Sequence, residues 1–388
     1  MLYRILVLLI IFFIICTGIS FASDVQTSGS NFAEKVFEKI KSGVPSGEIG
    51  AYYELSNYKR NRLIEEDKVI KLDDGDLIVP YFQVGYHTSE YSGFSMGAGL
   101  TGYTHIGSSS ESKDSPEDSD KLVVYQFYLN YDIFQTSLRI GRQELDDSVL
   151  LRDYYEAFSL TSTDIRNIFF FFAVVRKVAE SDVDKFIDFQ NINRGHKSIN
   201  DLLYAVETTW DIIPNAITTT LYYSHQGNLY DLYGSHIEFS HETEKIAFGL
   251  RADAYATDEH DENGLKDFND KVKNSHIYHI SPFIEMSDII LAAGYIRTDH
   301  GVGAREGGLI DDYFNPLNEG GKVYMPDAQT WYGGLKHETD RVNMGLTIGS
   351  TKYHDGTRRL TEKEFDINAG LKFLDNYKLE TELAIVDS

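Results

Sequence analysis

Val123-Val124-Tyr125-Gln126-Phe127-Tyr128-Leu129-Asn130-Tyr131-Asp132 alternates with a period of two. Successive side chains of a strand point to opposite sides. Val123, Tyr125, Phe127, Leu129 and Tyr131 therefore share an oily face, and Val124, Gln126, Tyr128, Asn130 and Asp132 a wet one. The pattern recurs as Phe134, Thr136, Leu138 and Ile140 against Gln135, Ser137, Arg139 and Gly141. It returns as Ile246, Phe248, Leu250, Ala252 and Ala254 against Lys245, Ala247, Gly249, Arg251 and Asp253. Further on, Val342, Met344, Leu346 and Ile348 oppose Arg341, Asn343, Gly345 and Thr347. Phe365, Ile367, Ala369, Leu371 and Phe373 then oppose Glu364, Asp366, Asn368, Gly370 and Lys372.

A soluble β-sandwich alternates too, so strand number, strand length and turn spacing decide between the two. Candidate strands of about ten residues are joined alternately by short turns and longer polar loops, as transmembrane barrels require. Short connections centre on 89–92, 131–133, 213–215, 242–244, 287–288, 338–340 and 374–376. Long ones lie near 59–77, 106–120, 143–153, 179–199, 258–274, 300–325 and 353–361. The reading is an all-β, single-domain transmembrane antiparallel barrel of about 16–18 strands. About seventeen candidate strands run from 47–57 to 377–386. Single-chain bacterial barrels have an even number, so a final strand of about ten residues is expected to be missing.

Composition agrees. The chain carries 26 Tyr, 23 Phe and 31 Gly against 7 Pro, and aromatic residues favour strands while prolines interrupt ladders. Arg4 precedes an apolar run from Ile5 to Ile15, and Ser20 and Ala22 suit a signal-peptidase site. The segment 1–22 is expected to be a cleaved signal peptide, with Cys16 as the weaker mark of a lipoprotein. The single cysteine lies in that segment, so a mature chain beginning at Ser23 could form no disulfide. The formal charge is -24, and losing Arg4 makes it -25, which excludes nucleic acid as a partner. Phe32, Val36 and Ile40 at four-residue spacing predict a short amphipathic helix within a periplasmic lead-in over 23–45, ahead of a barrel over 46–388.

Leu138-Arg139-Ile140-Gly141-Arg142-Gln143-Glu144-Leu145, with Arg152, Glu156-Ala157-Phe158 and Leu160 to Ile165, resembles the strand, inner loop and strand of the OprD-type porins. Ser46 to Tyr53 and the Gly-rich stretch Gly93 to Thr104 are similar to that family as well. The resemblance implies a barrel of about eighteen strands whose third outer loop folds inward and narrows a pore. On that reading Arg142, Gln143, Glu144, Asp146 and Asp147 stand at the constriction, and Arg139, Arg142 and Arg152 form a basic track. Where family members usually carry prolines, this chain has Asp146-Asp147-Ser148 and Tyr154-Tyr155.

Charges lining a narrow passage set which ions enter it. Strand phase places Arg139, Lys245, Arg251, Arg341 and Lys372 on lumen faces, against Glu207, Glu238, Asp253, Glu285, Glu364 and Asp366. The competing reading is that these arginines pair with neighbouring carboxylates and hold the wall. No Gly-x-Ser-x-Gly stretch points to a hydrolase. His276 and His279 fall on opposite faces of a strand, and His225, His236 and His241 are expected to be solvated at strand ends and turns. Glu259, Asp261, Asn263, Gly264, Asp267 and Asp270 match a calcium-loop spacing. An acidic surface loop without metal is the plainer reading, and no other cofactor is expected. The function that follows is a porin for passive diffusion of small charged solutes. Its partners are outer-membrane lipid and lipopolysaccharide, the solutes, and two further copies in a homotrimer. A non-conducting structural or adhesive barrel and a barrel enzyme are the alternatives.

Overall fold

The computed structural model describes residues 30–387 except 57–62, 66–67, 71–74, 105, 109–120, 180–188, 192–201, 228–229, 260–274, 300–314, 318–320 and 375–376. The leader 1–22 and the calcium-spaced loop beyond Glu259 lie outside these residues. Contacts divide the chain into two compact units. Residues 1–133, 139–142 and 182–186 form one, and 134–138, 143–181 and 187–388 the other.

The first unit opens with a helix, α1 (Ser30–Lys41), as the four-residue spacing predicts. Its strands are β1 (Val44–Ser56), the small hairpin β2 (Leu63–Glu65) and β3 (Lys68–Ile70), β4 (Gly75–His87), β5 (Phe94–Tyr103), β6 (Ile106–Ser108) and β7 (Lys121–Ile133). β1 pairs antiparallel with β4 over its whole length, β4 with β5, and β5 with β7. The helix end is tied to the β4–β5 turn: Ser89 N–H donates to the Lys39 carbonyl at 3.2 Å, and the Tyr86 hydroxyl to that of Ile40.

One expectation is reversed within β7. The β5–β7 register slips between Gly99 and Leu100, leaving Tyr125 as an extra residue between Val124 and Gln126. A Cβ on Gly99 would overlap the Tyr125 ring, so the missing side chain makes room for the bulge. Phase flips across it: Val123 and Tyr125 are buried, whereas Phe127 and Leu129 face out. Tyr131 to Ile133 also continue the strand, and the turn falls on Phe134, which is 93 % exposed with φ 53°.

β8 (Thr136–Glu144) shares its residues between the units. The second unit continues with β9 (Tyr154–Ser162), β10 (Ile168–Ala179), β11 (Gln190–Asn191), β12 (Leu203–Ile213), β13 (Ile217–Gln226) and β14 (Tyr230–Glu242). Then come β15 (Ala247–Glu259), β16 (Ser275–Met286), β17 (Ile289–Thr298), β18 (Gln329–Glu338), β19 (Val342–His354), β20 (Arg359–Leu374) and β21 (Tyr377–Asp387). From β12 to β21 each strand pairs antiparallel with the next. Counting only strands of nine residues or more, the described residues hold seventeen, the number read from the sequence.

Five of the short connections share a conformation. Ser92, Phe134, Asn167, Asn215 and Ser287 all have φ between 52° and 63°, the left-handed region that tight hairpins demand. The hairpin turn at 163–167 had not been separated from its strands in the sequence. There the Asp164 carboxylate accepts the Gln135 N–H at 2.9 Å and the Thr136 hydroxyl at 2.6 Å. These two bonds, the hydroxyl's first, hold its pKa below the ordinary carboxylate value. The tie therefore persists through the usual carboxylate range and is lost as pH falls through the lowered value. The stretch 353–361, expected as a long loop, is instead a tight turn. Its Asp355 carboxylate accepts the N–H groups of Thr357 and Arg358, each at 2.8 Å.

Across the second unit one face of the sheet is apolar and bare. Leu221, Ile237, Phe239, Phe248, Leu250, Ile280, Ile284, Leu291, Leu335, Met344, Leu346, Ile348 and Leu383 are all exposed on adjacent strands. A patch this large has no place in water, and it is what a strand wall turned toward hydrocarbon requires. The opposite face is covered and polar, with hydroxyls satisfying one another across strands: Thr209 to Thr220 at 2.9 Å, Thr257 to Ser275 at 2.6 Å and Thr330 to Thr351 at 2.9 Å. Placing a cation on the bare face should be costly. Ile348→Arg, at mid-strand in β19, should lose about 2–4 kcal/mol of stability in lipid vesicles. Urea unfolding checks this, with Thr347→Arg on the other face as the milder comparison.

Candidate functional site

The covered face of the second unit holds an apolar cluster and a charged region, each built from residues far apart in sequence. At the cluster, the segment between β8 and β9 packs onto the wall. Leu145, Leu150 and Leu151 are buried among Phe171 of β10, Leu203 of β12 and Tyr222 of β13. Each buried leucine contributes about 1.5–3 kcal/mol.

Beneath them lies one carboxylate. Glu207 of β12 is 2 % exposed. It accepts the Ser148 hydroxyl, the Val149 N–H at 2.8 Å and the Leu150 N–H at 3.0 Å. The Ser148 oxygen in turn accepts the N–H groups of Leu150 and Leu151 at 3.1 and 2.9 Å. Consecutive amides closing on an anion form a nest. Asp146-Asp147-Ser148 thus serves where prolines were expected: the aspartates are exposed and the serine is buried as the knot of the turn. Arg152 is exposed and attracts Glu207 electrostatically.

Other residues singled out from the sequence divide in role. Gln143 is fully buried, its amide donating to the Ala157 carbonyl at 3.0 Å and accepting from the Ser159 hydroxyl at 2.8 Å, so it braces the wall and does not line a passage. Glu144, beside it at the end of β8, is partly covered. Arg139 stacks on the Tyr128 ring at 4.5 Å, its Nε 3.4 Å from Asn130. Arg142 follows Gly141, whose φ of 128° interrupts the alternation, and donates to the Val124 carbonyl at 3.0 Å. Arg251 pairs with Glu238 at 2.8 Å, as the pairing alternative expects. Arg341 sits exposed in the β18–β19 turn and not on a strand wall, its backbone carbonyl accepting the Lys372 N–H. Glu259 ends β15.

Two features were missed in the sequence. Part of the stretch 300–325, expected as a long polar loop, comes back over the covered face. A 3-10 turn at Gly321–Tyr324 buries Val323 and Tyr324, and the Val323 carbonyl accepts the Thr298 hydroxyl at 2.6 Å. Asp327 anchors the return by accepting from Arg297 at 2.7 Å and Arg359 at 2.6 Å. The stranded apolar residues Leu317, Val323 and Tyr324 were the available signal.

The second is a row of titratable groups at mid-strand. Asp253 lies opposite His236 of β14 and His279 of β16 in the ladder. It is bonded to the Nδ1 atoms of both, at 2.5 and 3.0 Å. His279 Nε2 continues to the Tyr332 hydroxyl at 2.7 Å. His236 is therefore no solvated strand-end residue. Among the described residues no group of His, Cys, Asp and Glu is arranged to hold a metal.

No family model matches the chain, and no curated protein matches it. Solved structures do. OccAB4 of Acinetobacter baumannii has a TM-score of 0.70 at 15% identity, covering 89% of this chain and 93% of its own. OccK8 (OprE) of Pseudomonas aeruginosa has a TM-score of 0.70 at 12% identity, covering 90% and 95%. OccK5 (OpdH) of the same organism has a TM-score of 0.68 at 12%, covering 90% and 94%.

The Glu207 nest makes a direct prediction. Glu207→Leu would leave buried N–H donors unpaired at about 1–3 kcal/mol each. Trypsin should then cut faster at Arg152 while the strands stay resistant, and unchanged cleavage would show that the nest does not hold the loop. Bare apolar wall, covered polar wall, antiparallel neighbours and likeness over nine-tenths of the chain agree: the chain has the antiparallel β fold of the OccAB4, OccK8 and OccK5 structures.

Proposed function

We propose that the protein is a porin through which small charged solutes diffuse passively, its passage narrowed by residues 145–153. The observation that supports this is the loop bound to Glu207 on the covered face of the second unit. A loop fastened by one buried carboxylate and three leucines constricts a channel without sealing it. Charged groups still stand at the surface of the same wall, where the side chains of Arg251 and Glu238 are 51% and 32% exposed. Fixed charges in a narrow, low-dielectric passage concentrate counter-ions. Lipid and lipopolysaccharide would cover the apolar face.

Single-channel recording in planar bilayers is the test. The wild-type protein should give stable open steps, and Glu207→Leu larger or noisier ones as the loop loosens. A barrel that inserts and never opens would instead favour the structural or adhesive alternative.

A further inference from the structure

We infer that the bare face of the sheet carries a docking site for the phosphorylated disaccharide of lipopolysaccharide, built by Arg297, Lys352 and Arg359 with Trp331 beneath them. The inference deepens the outer-membrane part of the porin reading and rests on it. Residues opposed in a ladder present their side chains to the same face, so the register of β17 to β20 lays that face out in rows. Leu291, Leu335, Leu346 and Ile367 form one row, all exposed. Two residues further along their strands stand Ile348 and Phe365, and two further still Tyr295, Trp331, Ser350 and Lys363. The next row holds Arg297, Gln329 and Lys352, and Arg359 of β20 lies one step beyond. The face therefore passes from aliphatic to aromatic to cationic over about 20 Å of strand.

This gradient fits a headgroup. Trp331 is 65% exposed and packs on Tyr295 with ring centroids 4.4 Å apart. Amphipathic rings settle where hydrocarbon meets polar headgroups. Above them Asp327 accepts from Arg297 at 2.7 Å and from Arg359 at 2.6 Å. One carboxylate thus orients two guanidiniums whose side chains are 35% and 61% exposed, and the rest of each fork suits the oxygens of a phosphate. Lys352 is exposed on β19, between the strands that carry the two arginines. Other carboxylates stand at the margins: Asp299 is bonded to His276 at 2.7 Å, Asp355 accepts the N–H groups of Thr357 and Arg358, and Asp387 lies opposite Lys363. The centre of the patch sets Arg297, Lys352 and Arg359 against Asp327, in a chain whose formal charge is -24.

The position of the patch selects the leaflet. It lies toward the end of the sheet that bears the long β15–β16 and β17–β18 connections, and in outer-membrane barrels long loops face outward, where the lipid is lipopolysaccharide. At the short-turn end of the same strands the bare face stays apolar, with Ile289, Met344 and Leu371 exposed. Phosphates would meet the guanidiniums and Lys352, the sugar would cover Trp331, and acyl chains would run down past Ile348.

The chain has two tryptophans, and Trp210 lies toward the short-turn end of β12, so a Trp210→Phe background reports from Trp331 alone. Such protein, lacking residues 1–22 and refolded in detergent, is titrated with bis-phosphorylated lipid A, dephosphorylated lipid A and phosphatidylglycerol, read as Trp331 emission. Bis-phosphorylated lipid A should shift the emission to the blue and bind about tenfold more tightly than either other lipid, the worth of one charge-assisted hydrogen bond. Lys352→Gln/Arg359→Gln should lose that margin, whereas Lys336→Gln/Lys372→Gln, the same change of charge at the short-turn end, should keep it. Lys352→Glu alone leaves both bonds of Asp327 in place and should also lose it, which keeps the test decisive if the double variant does not refold. Equal binding of phosphorylated and dephosphorylated lipid A, equal binding of phosphatidylglycerol, or an undiminished margin in the Lys352 variants overturns the inference. Open steps in planar bilayers alongside any of those results leave the porin reading standing. Binding as expected without open steps removes conduction and leaves the site.

Discussion

A strand wall with hydrocarbon on one side can place charge only on the other. That constraint organises the second unit. Backbone groups must be paired within the sheet, which the continuous antiparallel register from β12 to β21 achieves. With the ladder fixed, side-chain alternation sends Leu346 and Ile348 out and leaves Glu364 and Asp366 buried on the inner face. The Glu207 nest, the Arg251–Glu238 pair and the shared carboxylate of Asp253 follow from that sorting.

The inner face then has to satisfy its own polar groups wherever they are buried. It does so by pairing across strands, so partners are near in space and distant in sequence. Asp253 is 17 residues from His236 and 26 from His279. Glu207 is more than fifty residues from the amides it binds. The same wall supports both the apolar packing of Leu150 and Leu151 and, elsewhere, exposed charge at Arg251. Stability and selectivity are thereby drawn from different parts of one surface.

This explains what the sequence could reveal. Alternation is a local signal, so β15, β19 and β20 were legible in position and in phase: Phe248, Leu250, Met344 and Ile367 face out as expected. The phase of β7 was not, because a bulge depends on Gly99 of a different strand making room for Tyr125. The loop 143–153 was marked by resemblance, whereas its fastening to Glu207 required knowing which strand lay beneath it. Arg341 was given a strand position from parity, yet β19 starts one residue later. The His236 row was invisible for a similar reason, since register between strands is not written in any single strand.

The most direct measurement is thiol accessibility along β19. The only cysteine of the chain is Cys16, so single cysteines can be placed at Met344, Gly345, Leu346, Thr347 and Ile348 in protein lacking residues 1–22 and refolded into vesicles. A membrane-impermeant, water-borne thiol reagent should label positions 345 and 347 and spare 344, 346 and 348. Equal labelling at all five, or labelling of the apolar positions alone, would contradict a wall with lipid on one face and an aqueous lumen on the other.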